Sequence, residues 1–157
     1  MNVLFVCADN SRLSIMAESI LRAVAPTRFI AFSAGCRPAN ALDGEVLEFL
    51  SAHRMPVAGL RPKLIEEFRV GGAPRLDFVI TLCERAAECA DLEWPGAPFI
   101  THWAVLDEEA LEAGEETMRD AFWTLMRRIN ILAALPQGKL NRHQLQRRAL
   151  TLQARYL

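Results

Sequence analysis

The chain of 157 residues has no apolar run approaching eighteen residues, so no membrane-spanning helix is expected. Its first apolar stretch gives way at once to a polar loop, which is not the layout of a signal peptide. There is no internal repeat, low-complexity tract or linker, and the simplest organisation is one domain over residues 1–157. Neither sign of charge dominates: 18 Lys plus Arg face 19 Asp plus Glu, interspersed, so no basic field suggests nucleic acid or an anionic membrane as partner. The four cysteines, at positions 7, 36, 83 and 89, lack the paired short spacings of a zinc site, and no metal is expected. These features point to the cytosol, where the cysteines should be thiols and structural disulfides are not expected. What is present in quantity is apolar material, 52% of residues with a mean hydropathy of +0.11, enough for a well-packed core.

The first twenty-two residues organise the rest. Val3-Leu4-Phe5-Val6 is a continuous apolar, β-prone run, as expected of a strand buried on both faces of a parallel sheet. Cys7 stands at its carboxyl end, Ala8-Asp9-Asn10-Ser11 follow as a polar loop, and Leu13, Ile15, Met16, Ile20 and Leu21 recur at the spacing of one helix face. A strand–loop–helix of this kind turns successive backbone N–H groups inward and ends on the positive pole of the helix, a geometry that binds a tetrahedral oxyanion without metal. Cys7 faces that site, and the same donors favour its thiolate, which makes it a candidate nucleophile with Ser14 as a candidate donor.

Further along, Arg28 to Phe32 reads as a second strand ending at Ser33-Ala34-Gly35, with Cys36 after it as a small buried hydrophobe or a spectator thiol. Asp43 is a plausible N-cap for a helix to about His53, with Val46, Leu47 and Leu50 inward and His53 on the surface. Lys63 to Phe68 suggests a short helix stopped by Gly71, Gly72 and Pro74. Leu76 to Leu82 is another central strand, ending on Cys83. Ala97 to Thr101 is a fourth, and Glu115 to Leu135 is an amphipathic helix with Met118, Phe122, Leu125, Met126, Ile129 and Leu132 on its apolar face. Asn141 to Leu157 reads as a basic helix whose charged face is solvated. The βαβ series predicts an α/β fold, a three-layer sandwich around a four-stranded parallel sheet, with its ligand crevice at the carboxyl ends of the strands. Cys7 and Cys83 both occupy such ends, so dithiol chemistry is open to them, as is a purely structural role for Cys83. If the segment from Glu84 to Glu88 is helical, Cys83 and Cys89 lie roughly 9 Å apart. That exceeds the roughly 7 Å limit of a disulfide, and pairing them would require unwinding.

The stretch Val6 to Glu18, VCADNSRLSIMAE, resembles the phosphate loop of the low-molecular-weight protein tyrosine phosphatase superfamily, which includes the thioredoxin-coupled arsenate reductases. That pattern is Cys, five residues, Arg, Ser. Cys7, Asn10, Ser11, Ser14, Ala17 and Glu18 match; the arginine position holds Leu13, with Arg12 one residue early. Leucine cannot provide the planar, bidentate clamp of a guanidinium, and Arg12 would have to curl back over the loop rim to do so. The Ser33-Ala34-Gly35 turn, the region from Phe78 to Trp103 with Trp94-Pro95-Gly96, and the end from Arg119 through Arg148 also resemble the arsenate reductase-like branch, so the likeness covers nearly the whole chain.

The resemblance implies a thiol enzyme acting on arsenate, phosphate or sulfate. The oxyanion is held by the loop Ala8, Asp9, Asn10, Ser11, Arg12, Leu13 and Ser14. Cys7 attacks, and Cys83, with Cys89, resolves the adduct as a disulfide that thioredoxin or glutathione would reduce. Anchored on Trp94-Pro95-Gly96, the family's third cysteine falls at Asp91, so Cys89 serves only with a shift of two residues. The resemblance also assigns the general acid to Asp107, in a loop where Glu108 replaces the family's proline. The run Asp107-Glu108-Glu109 reads alternatively as the acidic start of a helix. Two other functions fit the residues: an oxyanion- or protein-binding relative that has lost the chemistry, and a redox-sensing dithiol protein using Cys7 and Cys83.

Overall fold

The computed structural model describes residues 1–105 and 115–136. Over these the chain runs β1 (Asn2–Cys7), α1 (Leu13–Val24), β2 (Ile30–Gly35), α2 (Gly44–Ala52), a 3-10 turn (Ile65–Phe68), β3 (Phe78–Thr81), α3 (Glu84–Cys89), β4 (Phe99–His102) and α4 (Glu115–Ala134). All four strands are parallel in the order β2-β1-β3-β4, with Cys7 in register with Gly35 and Val6 with Thr81. The units β1–α1–β2 and β3–α3–β4 run outward in opposite directions, so right-handed crossovers put α1 and α3 on opposite faces and create the three layers. The order reverses between β1 and β3, and the crevice of an open parallel sheet lies at that reversal. Cys7 closes β1 there and Cys83 follows β3.

The centre is dry. Val3, Leu4, Phe5 and Val6 are fully buried, as are Leu13, Ile15, Met16, Ile20 and Leu21 of α1, which packs on both the sheet and α4. The α4 face is Met118, Ala121, Phe122, Leu125, Ile129 and Leu132, with Met126 half-buried beside it. Arg28 ties down the far end of α4 by donating to the carbonyls of Ala133, at 2.6 Å, and Leu135.

Several boundaries differ from the sequence reading. The second strand starts at Ile30 and includes the Ser33-Ala34-Gly35 segment, because that segment pairs with the end of β1. The third strand is the four residues Phe78–Thr81, and the fourth begins at Phe99 and reaches His102. Residues 63–68 make only one 3-10 turn, since Leu64 bridges to Gly35 and holds the backbone extended there. In α2 the inner face is Val46, Phe49 and Leu50, with Leu47 half-buried. His53 is no simple surface residue: its ring stacks on Phe49 with centroids 4.1 Å apart, meets Phe122 at 5.0 Å, and its Nδ1 lies 2.8 Å from the Phe49 carbonyl. Among the described residues no helix is long and apolar enough to cross a membrane. Asp107 and the basic stretch 141–157 lie outside the described residues.

Candidate active site

The loop between β1 and α1 is held from outside by its carbonyls. Those of Cys7, Ala8 and Asp9 accept from the N–H groups of Cys36 (3.3 Å), Arg37 (2.9 Å) and Ala39 (2.8 Å), and that of Arg12 accepts from Met16 N within α1. These bonds tie the carbonyls of residues 7–9 to the segment after β2, as in loops that present backbone N–H groups to an anion, while the N–H groups of Asn10 and Ser11 are taken by Cys7 Sγ and Asp9 Oδ1. Gly35 is the residue that lets the two segments approach so closely. A Cβ there would stand 2.9 Å from Ala8 O, Asn10 N and Asn10 Cβ, distances that side chains do not tolerate.

Asn10 fixes the turn. Its φ of 53° is in the left-handed region, which asparagine accepts more readily than most residues. The backbone N–H of Lys63 donates to its Oδ1 at 2.7 Å, which determines the amide's orientation and sends Nδ2 to Ser14 Oγ at 2.8 Å. Ser14 Oγ, thus accepting from Asn10, lies 2.8 Å from Cys7 Sγ with its own proton available to the sulfur. The Asn10 N–H donates to the same sulfur at 3.2 Å. Two donors converging on the sulfur favour its thiolate, against the complete burial that favours the thiol. Asp9 adds a local turn bond, its Oδ1 accepting from Ser11 N at 3.1 Å.

Leu13, at the arginine position, and Arg12, one residue before it, separate in space. Leu13 is wholly buried and belongs to the core. Arg12 sits half-buried at the N-terminus of α1, and its Nε donates to Asp43 Oδ2 at 2.7 Å. Asp43 also caps α2, accepting from Glu45 N at 2.9 Å. Burial pushes the Asp43 carboxyl up, but the Arg12 hydrogen bond and charge together with the amides of Glu45 and Val46 outweigh it and hold the group below the usual carboxylate value.

Under the loop lies a charged cluster that the sequence reading did not identify. Glu18 is almost fully buried; it accepts from Arg22 Nη2 at 2.5 Å and from Ser33 Oγ, with Lys63 Nζ 3.7 Å away. Lys63 Nζ donates to Arg61 O at 2.6 Å. Burial lowers the Lys63 pKa, and the neighbouring Glu18 charge recovers only part of that. Nothing in the spacing from Glu18 to Lys63 signals this contact, because it depends on the Gly35–Leu64 bridge bringing the 63–65 segment alongside the end of β2.

The expectation of four free thiols is overturned. Cys36 and Cys89 are joined as a disulfide with a Cα–Cα separation of 6.2 Å, while Cys7 and Cys83 are buried thiols. The physical reason is the helix. Glu84–Cys89 forms α3, so Cys89 is carried a helix length from Cys83 and its end meets the loop after β2. Cys36 is accordingly not a spectator: its Sγ lies 3.8 Å from Cys7 O and 3.9 Å from Arg85 O, between the β1–α1 loop and α3. At the other side of the crevice Thr81 Oγ1 and His102 Nδ1 are 2.8 Å apart, and Trp103 N donates to Thr81 O while its ring meets Phe5 at 6.1 Å. Among the described residues, no group of three or more His, Cys, Asp or Glu is placed to hold a metal ion.

Comparison with known proteins identifies the fold and the family. Solved structures with the same fold include a thioredoxin-dependent arsenate reductase of Corynebacterium glutamicum, 27% identical with a TM-score of 0.63, over 83% of this chain and 59% of that one. The chain thus spans less than two thirds of the Corynebacterium protein. An arsenate reductase of Archaeoglobus fulgidus is also 27% identical, with a TM-score of 0.67 over 85% of this chain and 99% of that one. A low-molecular-weight protein tyrosine phosphatase of T. tengcongensis is 23% identical, with a TM-score of 0.70 over 86% and 99% of the two chains, and shares the fold. No curated protein sequence matches significantly. The family model for low-molecular-weight phosphotyrosine protein phosphatases matches residues 2–96, more than half of the sequence, and the chain belongs to that family.

Proposed function

We propose that this protein is a thiol enzyme of the arsenate reductase-like branch, acting through Cys7 on a small tetrahedral oxyanion. The observation that carries this is the position of Cys7 Sγ, 2.8 Å from Ser14 Oγ and 3.2 Å from Asn10 N, at the mouth of a loop whose carbonyls are tied outward. In this reading the Cys7 thiolate attacks arsenic(V), expelling an oxygen as hydroxide or water, with Asp107 as the acid that protonates it. The loop N–H groups of residues 8–14 hold the remaining oxygens. The Cys83 thiolate then attacks Cys7 sulfur. A Cys7–Cys83 disulfide forms, the S–As bond pair goes to arsenic, and arsenite leaves as arsenic(III). A thioredoxin- or glutathione-type thiol reduces the disulfide, in line with the thioredoxin dependence of the Corynebacterium relative. With phosphate no reduction is possible, and the same site supports only phosphoryl transfer to Cys7 and hydrolysis.

Leu13 sets the rate. Removing one preorganised donor from an oxyanion site costs about 10²–10³ in rate, and a missing bidentate cation should cost no less. A binding protein without turnover is the second reading, favoured by two observations: Leu13 is wholly buried and Arg12 is engaged by Asp43. Arsenate-dependent consumption of reduced thioredoxin by wild type and Cys7→Ser separates the two. Slow, saturable turnover that vanishes in Cys7→Ser is expected. Arsenate or phosphate binding with no turnover at any concentration would establish the second reading instead.

A further inference from the structure

We infer that Cys36 and Cys89 form the terminal dithiol of a four-cysteine relay that takes up the oxidation generated at Cys7 and Cys83; the inference rests on the reading of Cys7 and Cys83 above. Three observations carry it. First, the oxidised pair is Cys36–Cys89 while Cys7 and Cys83 are thiols, which is the state such a relay ends in. Second, Cys36 belongs to the wall of the site: its N–H donates to Cys7 O, and its sulfur lies between that carbonyl and Arg85 O of α3. Third, Cys36 and Cys89 pair with α3 intact, their Cα atoms 6.2 Å apart. Cys83 and Cys89, at the two ends of that helix, are about 9 Å apart at 1.5 Å per residue and can pair only while it is open.

The steps balance as thiol–disulfide exchanges. From the Cys7–Cys83 disulfide, the Cys89 thiolate attacks Cys83 sulfur and Cys7 leaves as thiolate, with α3 transiently unwound. The Cys36 thiolate then attacks Cys89 sulfur, Cys83 leaves as thiolate, and α3 re-forms. Two electrons pass from the Cys36/Cys89 pair to the Cys7/Cys83 pair, and each thiol's proton ends on a departing thiolate. Unwinding is undemanding for α3, which has six residues and buries only Ala86. The driving force is the return of the helix, which the Cys83–Cys89 disulfide forbids and the Cys36–Cys89 disulfide permits. The product disulfide joins partly exposed residues at the rim, where an external dithiol has better access than to the buried Cys7.

The experiment uses hydrogen peroxide as oxidant, so that it does not depend on arsenate turnover. Fully reduced protein receives one equivalent of peroxide, is quenched with iodoacetamide over a time course, and its disulfides are mapped by mass spectrometry. In wild type Cys7–Cys83 should appear first and decay into Cys36–Cys89, with Cys7 and Cys83 again alkylatable. Cys36→Ser should stop at a disulfide containing Cys83, and Cys89→Ser should stop at Cys7–Cys83. Cys7→Ser should form Cys36–Cys89 at least about tenfold more slowly. Circular dichroism confirms that each variant is folded. Equal rates of Cys36–Cys89 formation in wild type and Cys7→Ser, or a wild-type end point at Cys7–Cys83, would overturn the relay. If peroxide drives the relay while arsenate is never reduced, the relay stands and the arsenate reading fails.

Discussion

Arg12 Nε donates to Asp43 Oδ2 at 2.7 Å, so the guanidinium one residue before the expected clamp is bonded to the N-cap of α2. Asp43→Ala therefore removes both a helix cap and the partner of Arg12. Loss of the cap should cost about 1 kcal/mol, seen as a lower urea midpoint. The carboxyl is held below its usual value in the folded state, so its stabilisation is complete above the unfolded value near 3.8 and is lost as pH falls through the lower folded value. Wild type and Asp43→Ala should accordingly converge in stability in acid and diverge above about pH 4.

Leu13→Arg tests whether the scaffold lacks only its clamp. A longer, charged side chain replaces a wholly buried leucine, so the variant should be less stable, by about 2 kcal/mol or more. Turnover should nonetheless rise by about 10² if the guanidinium turns into the loop. Arsenate reduction and thermal melting measured on the same sample check both halves of the expectation.

Gly35→Ala should displace the β1–α1 loop, because its methyl group meets Ala8 O and Asn10 at 2.9 Å. The expected result is a folded protein whose oxyanion affinity, measured by phosphate titration calorimetry, falls at least about tenfold as the loop N–H groups lose alignment. Unchanged affinity would show that the loop yields without cost.

Ser14→Ala removes the hydroxyl 2.8 Å from Cys7 Sγ and leaves Asn10 Nδ2 without its acceptor. Alkylation of Cys7 by iodoacetamide at neutral pH should slow several-fold, about what the loss of one hydrogen bond to a charged group allows. Mass spectrometry of the Cys7 peptide against that of Cys83 reads the effect.

Lys63 gives a test in alkali. Burial lowers its folded pKa below the ordinary 10.5, so between the folded and the unfolded value the unfolded chain binds more protons, and stability rises with pH. Lys63→Met lacks this term. The stability of wild type relative to Lys63→Met, from urea unfolding, should increase as pH climbs toward 10.5 and level off above it.

Most of the fold was legible because β1 and α1 announce themselves by period: a continuous apolar run, a polar loop, then Leu13 to Leu21 at helical spacing. The Asp43 cap and the apolar face of α4 were legible for the same reason. Where the sequence misled, a contact distant in the chain decided the outcome. The 63–68 segment did not become a helix because Leu64 bridges to Gly35, and His53 was drawn among Phe49, Phe122 and Trp123 by a helix beginning some sixty residues later. The Cys7–Ser14 contact followed from a seven-residue spacing, whereas Cys36–Cys89 spans 53 residues and depends on where α3 ends relative to β2. Spacing carries no information about that juxtaposition. The anchoring of Asn10 by the backbone of Lys63 is equally invisible, since a main-chain donor leaves no mark on residue type.

The central claim is that Cys7 performs oxyanion chemistry, and a measurement limited to the chain's own thiols tests it most directly. Fully reduced protein is mixed with excess arsenate in the absence of any external thiol, and arsenite is quantified per chain. The account predicts arsenite formed slowly up to two per chain, one for the Cys7/Cys83 dithiol and one more after Cys36/Cys89 restores it, accompanied by disulfides and absent from Cys7→Ser. No arsenite from wild type, or the same amount from Cys7→Ser, would contradict it.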